Sequence, residues 1–134
     1  MNKIATLLYV DDEPLNLKLF EINFKKSFEV ITALSGEDGL KKLSKNPSVR
    51  VVISDMRMPG MNGLEFITAA KSEYPNIVFF ILTGYDISPE IAKALDIKLI
   101  NKYFSKPFNI PEIEESILNA LGDVNKNLFF GTKS

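Results

Sequence analysis

Four places in this chain carry side chains able to do chemistry together: Asp11-Asp12-Glu13, Asp55, Thr83-Gly84 and Lys106-Pro107. Carboxylates crowded at one spot repel and raise one another's pKa unless a cation sits among them. Hard oxygen ligands around a small cavity suit Mg2+ or Mn2+, with water completing the shell. An ammonium beside such a site is unfavourable unless an anion lies between. A phosphoryl group fits that place, with oxygens toward the metal, toward Lys106 and toward the Thr83 hydroxyl. The set therefore points to an aspartate that becomes an acyl phosphate. The 134 residues include no histidine and no cysteine, which removes imidazole bases, His-based triads, thiolate metal sites and disulfides. Any nucleophile must then be Asp, Glu, Ser, Thr, Tyr or Lys.

Taken singly, each feature also has a plainer reading. An acidic pair after a strand suits a solvated helix N-terminus, favoured by the dipole. A lone Asp at a strand end is commonly a turn or cap residue. Thr83-Gly84 could be a turn and Lys106 a surface lysine. Their arrival at successive strand ends in one alternating chain is what favours a joint site.

The elements that must position these groups follow from the hydrophobic pattern. Five apolar runs, Ile4–Val10, Phe28–Ala33, Val49–Ile53, Ile77–Leu82 and Leu99–Phe104, read as strands covered on both faces. Between and after them lie five amphipathic stretches. Pro14 suits a first helical turn, and Leu15, Leu19 and Ile22 with Phe20 and Phe24 form a broad apolar face. Ser35 caps a stretch with Leu40 and Leu43, which Gly39 weakens by up to ~1 kcal/mol. Gly63 opens a third, closed by Tyr74-Pro75, and Ser88-Pro89 starts a fourth with Ile91, Ala94 and Leu95 inward. Asn109 followed by Glu112 reads as a capping box before Ile113, Ile117, Ala120 and Leu121. Strict alternation of strand and helix predicts an α/β fold with a parallel sheet wound on both faces. Sites in such folds lie beyond the carboxyl ends of the strands, where all four groups fall.

Composition sets the remaining bounds. Hydrophobic residues at 46% and charged residues at 25% allow one domain with a real core. A net charge of -1 argues against general attraction to nucleic acid or anionic lipid. No apolar run is long enough to span a bilayer, the Met1 segment lacks the shape of a signal peptide, and a cytoplasmic location is expected.

With these residues in place, the chain resembles the response-regulator receiver domains of two-component signalling over about Ile4 to Leu121. The resemblance rests on Tyr9-Val10-Asp11-Asp12-Glu13, on the run from Ser54-Asp55-Met56-Arg57-Met58-Pro59 to Gly63, on Leu82-Thr83-Gly84 and on Lys106-Pro107-Phe108. It implies a flavodoxin-like, doubly wound five-stranded parallel sheet with five helices and strand order 2-1-3-4-5. It implies a receiver domain over 1–122, with 123–134 a tail, linker start or helix extension. Asp55 would be the phosphoacceptor. Asp12 would bind Mg2+ or Mn2+ directly, Asp11 through a metal-bound water, and Arg57 through its backbone carbonyl. Thr83 and Lys106 would contact the phosphoryl oxygens, the Lys106–Pro107 bond would be cis, and Tyr103 would move inward with Thr83 as a switch pair.

The resemblance further implies a regulatory phosphoacceptor rather than an enzyme. Its donor would be a sensor histidine kinase or histidine phosphotransfer domain, and its target a downstream protein or an output domain. It also implies a surface, formed by the fourth helix, fifth strand and fifth helix, compatible with a homodimer; neither nucleic acid nor membrane is an expected direct partner. Two departures matter. Leu99 and Ile100 stand where the family usually has Gly-Ala, so a glycine helix stop is missing and the 96–101 connection is expected to be shaped differently. Arg57 and Tyr85 are large residues two positions beyond Asp55 and Thr83; they either shield the phosphoryl group from water or are solvated rim residues. Competing functions fit less well. Phosphohydrolases of the haloacid-dehalogenase type need a D-x-D element at the first strand, and no glycine-rich loop follows that strand to cradle a nucleotide or flavin phosphate. A degenerate, non-phosphorylated interaction module would not keep all five site residues.

Overall fold

A computed structural model of the chain describes residues 3–130, with side chains described for 3–122. Its ten elements alternate: β1 Ala5–Val10, α1 Pro14–Phe24, β2 Phe28–Ala33, α2 Gly36–Lys45, β3 Val49–Ser54, α3 Gly63–Glu73, β4 Val78–Thr83, α4 Pro89–Asp96, β5 Lys102–Ser105 and α5 Ile110–Phe130. The strands form one parallel sheet in the order β2-β1-β3-β4-β5, as expected. The order reverses between β1 and β3, which leaves a crevice at their carboxyl ends.

Period-two alternation divides the strands between two cores. Leu7, Tyr9, Val51, Ile53, Phe80, Leu82 and Phe104 face Leu17, Phe20 and Phe24 of α1 and Ile113 and Ile117 of α5. Leu8, Val10, Val52, Phe79 and Ile81 face Leu43 of α2, Phe66, Ile67 and Ala70 of α3, and Ile91 and Ala94 of α4. Both faces of the three central strands are thus dry, which explains why their sequences run apolar without a break.

Local signals place the helix starts. Pro14 and Pro89 sit in the first turns of α1 and α4. Ser35 accepts a bond from Asp38 N–H at 3.0 Å and Ser88 one from Ile91 N–H at 3.2 Å. The Asn109–Glu112 pair shows the bond from Glu112 N–H to Asn109 Oδ1 at 2.9 Å. A full reciprocal capping box lies instead at Asn62 and Glu65, both bonds at 2.9 Å. Gly39, which costs α2 helical propensity, has a packing reason: a methyl there would lie 2.8 Å from Cε1 of Phe66.

Two expectations need correction. Leu15, Leu19 and Ile22 are exposed, and the inward stripe of α1 is Leu17, Phe20 and Phe24. The fifth strand starts at Lys102, not Leu99; Leu99 and Ile100 belong to the turn before it, with Ile100 buried against the α4 side of the sheet. The glycine is absent as expected, yet the closure it usually forms is made without it. Lys98 N–H donates to Leu95 O at 3.1 Å and Leu99 N–H to Ala94 O at 2.9 Å, the paired bonds of a Schellman closure. Lys98 occupies its left-handed position at φ 62°, where glycine is usual. The expected boundary at 122 lies within α5; the side chains of 123–130, and all of 131–134, fall outside the described residues.

Candidate functional site

Four of the five strands, all but β2, deliver a polar residue at, or one position beyond, their carboxyl ends. Asp11 follows β1, Asp55 follows β3, Thr83 closes β4 and Lys106 follows β5. Two loops hold the rim in shape. Asp55 N–H donates to Val10 O at 2.8 Å, which ties the end of β3 to β1. Gly63 N–H donates to Met56 O at 2.8 Å, drawing α3 onto the acceptor loop so closely that a methyl at Gly63 would sit 2.2 Å from the Asp55 carbonyl oxygen. Only glycine permits that approach.

Asp11, Asp12 and Asp55 each present a carboxylate oxygen within 4.8 Å of the others. Asp11 is fully buried and Asp55 is 7% exposed, while Asp12 is half-buried. Lys106 Nζ lies between two of them, 2.9 Å from Asp11 Oδ2 and 3.2 Å from Asp55 Oδ2. Met56 N–H donates to Asp55 Oδ1 at 2.7 Å. Burial, with the charge of Asp11 adding to it, pushes the Asp55 pKa above the usual carboxylate range against the opposing pull of Lys106. Burial also works against the charge of Lys106. Its hydrogen bond to Asp11 and the two carboxylate charges outweigh that effect and hold its pKa above the ordinary lysine value.

The donor set fits a hard divalent cation: three carboxylates converge and one lysine cannot neutralise them all. Thr83 is fully buried, and its Oγ1 accepts from Tyr85 N–H at 3.3 Å. Thr83 pairs with Ser105 and Ile81 with Tyr103 across β4 and β5. Thr83 and the half-buried Tyr103 therefore point to the same side of the sheet, toward α4. The Lys106–Pro107 peptide is cis, as the resemblance implies. A groove of ≈ 660 Å³ runs beside the rim between Met56, Arg57, Thr83, Tyr85 and Ile91. Within its lining the Arg57 guanidinium carbon lies over the Tyr85 ring, 4.0 Å from the centroid.

Asp11, Asp12, Asp55, Arg57, Thr83 and Lys106 lie at this end of the sheet, whereas Tyr103 sits within β5 opposite Ile81, two residues short of the level of Thr83. Sequence reasoning missed two that touch Asp11. Tyr9 OH donates to Asp11 Oδ2 at 2.6 Å and Asn16 Nδ2 to the same oxygen at 3.2 Å. Period two, continued one residue past β1, would have found Tyr9, since it sets positions 9 and 11 on one side. Asn16 needs the geometry of α1.

Comparison with known proteins agrees with this geometry. The model of the response regulator receiver domain matches residues 7–118. A chemotaxis protein CheY homolog of Campylobacter jejuni is 30% identical over 120 residues, covering 87% of this chain and 92% of that protein. The hydrogenase transcriptional regulatory protein HoxA of Cupriavidus necator is 30% identical over 120 residues, but there the chain spans only 25% of the relative's length. A receiver domain protein from Clostridium thermocellum superposes with a TM-score of 0.85 at 30% identity, covering 94% of this chain and 100% of that one. The regulator TrrA of Thermotoga maritima, solved with Mg(2+)-BeF, does so at 0.75 and 29%, covering 87% and 99%. Among the described residues no helix is long and apolar enough to cross a membrane. Sheet order, acidic rim and matched residues converge on one conclusion: this chain belongs to the response regulator receiver domain family.

Proposed function

We propose that Asp55 is the phosphoacceptor of a two-component signalling switch. The observation that carries this reading is Lys106 Nζ bridging Asp11 and Asp55 at 2.9 and 3.2 Å, inside a cluster still rich in negative charge. Asp12 and Asp55 side chains and the Arg57 carbonyl would hold Mg2+ or Mn2+, with Asp11 acting through water. When bound, the cation supplies charge neutralisation, both for the crowded carboxylates and for phosphoryl oxygens. The Asp55 carboxylate attacks the phosphorus of a phosphohistidine; the new O–P bond forms as the P–N bond breaks and the imidazole leaves. The chain has no histidine, so the donor belongs to another molecule, a histidine kinase or phosphotransfer domain. Lys106 and Thr83 receive the phosphoryl oxygens, and positioning with electrostatic stabilisation supplies most of the catalysis.

The product is a conformation. Thr83 drawn toward the phosphoryl group vacates space toward which Tyr103 moves, shifting a population that α4, β5 and α5 present to a partner or a second copy. In this reading 1–122 is the receiver unit and 123–134 a tail, linker start or helix extension, working in the cytoplasm. Incubation with Mg2+ and acetyl phosphate tests it by mass spectrometry. Wild type gains one phosphoryl group and Asp55→Asn gains none; a gain that persists in Asp55→Asn overturns the assignment.

A further inference from the structure

Phosphoacceptor chemistry assigns no role to the hydroxyl of Tyr9, a buried polar group at the rim. The ring is anchored: it is 1% exposed and stacks on Phe20 with centroids 4.2 Å apart. Asp11 directly follows β1, two residues after Tyr9, and the hydroxyl meets Asp11 Oδ2 at 2.6 Å, the length of a charge-assisted bond. That oxygen is crowded with donors. It also accepts from Lys106 Nζ at 2.9 Å and Asn16 Nδ2 at 3.2 Å, while Oδ1 accepts from Glu13 N–H at 3.0 Å. Asp12, by contrast, is half-buried and accepts no hydrogen bond among the described residues.

Donors that share one oxygen draw on the same electron density, so each weakens the others. We propose that Tyr9 is a positioning residue. By donating to Asp11 Oδ2 it loosens the hold of Asp11 on Lys106 and tempers its attraction for the cation, leaving Lys106 free to follow the charge that leaves Asp55 for the phosphoryl oxygens. The inference rests on Asp55 being the phosphoacceptor. Its signature is a split of sign. Without the hydroxyl, the charge of Asp11 is less dispersed, so the cluster attracts a divalent cation more strongly. The same change holds Lys106 back from the phosphoryl group. Simple damage to the site would weaken both.

Tyr9→Phe keeps the ring, its stacking and three of the four donors on Asp11, so the fold is retained. Titration calorimetry with Mg2+ alone is expected to show an affinity about threefold to tenfold tighter than wild type, the scale of one charge-assisted hydrogen bond partly redistributed. Beryllofluoride affinity at saturating Mg2+ is expected to fall by a similar factor. Asn16→Ala, which removes a longer bond, should shift both in the same directions by less. Mg2+ affinity unchanged or weaker in Tyr9→Phe overturns the inference, as does beryllofluoride affinity unchanged or tighter. Wild type that binds Mg2+ but no beryllofluoride would count against the Asp55 reading instead, and the Mg2+ comparison would still decide the part played by Tyr9.

Discussion

The acidic rim and the turn between α4 and β5 lie at opposite ends of β5, and each stores unfavourable energy in a different form. At the rim the cost is electrostatic: Asp11, Asp12 and Asp55 crowd together with Lys106 as the cation bridging two of them. At the turn the cost is steric: Lys98 holds φ at 62°, where its Cβ is crowded against its own backbone. A bound ligand can relieve the first, because charge is neutralised on binding. Nothing bound at the rim relieves the second. The difference separates what can drive a switch from what is a fixed penalty of chain connection.

The largest effect is expected at the acceptor loop. Gly63→Ala would force a methyl against the Asp55 carbonyl and is expected to lower stability by about 2 kcal/mol or more. Urea unfolding measures this, and a change within the scatter of surface substitutions would refute the close approach. Next in size is the Arg57–Tyr85 pair in the lining of the groove. If it shields the phosphoryl group, the Arg57→Ala, Tyr85→Ala double variant loses label about threefold to tenfold faster, roughly 1 kcal/mol of barrier. Dephosphorylation no faster than wild type would return the pair to ordinary rim residues.

Two smaller effects sharpen the contrast directly. Asp12→Asn removes a carboxylate that accepts no hydrogen bond among the described residues. It should raise metal-free stability by about 0.5–1 kcal/mol and abolish the rise in melting temperature that Mg2+ gives wild type. A variant less stable without metal would mean that repulsion is not the cost stored there. Lys98→Gly relieves the left-handed backbone but makes the unfolded chain more flexible, so the net gain is expected near ~0.5 kcal/mol. Unlike the change at Asp12, this gain should be the same with and without Mg2+. A gain that vanished on Mg2+ addition would couple the two regions after all.

What the sequence determined by itself is the wiring. Continuous apolar runs made the sheet parallel and doubly covered, and its alternation with helices put Asp11, Asp55, Thr83 and Lys106 at one rim, because strand ends and periodicity are local properties. Ser35 and Ser88 were readable as caps for the same reason. Tertiary structure decided the choices that local pattern leaves degenerate. Helix α1 carries two apolar stripes, and Leu15, Leu19 and Ile22 are spaced as well as Leu17, Phe20 and Phe24; only packing on the sheet selects which is buried. Leu99 and Ile100 read as strand because they are apolar, yet Lys98 turns the chain and Ile100 drops into the core before pairing begins. The capping box at Asn62 was masked by the motif around it, and Asn16 reaches Asp11 only because α1 folds back over β1. Which side chains can do chemistry is written in residue type and order; which oxygen each donor shares is set by three-dimensional approach.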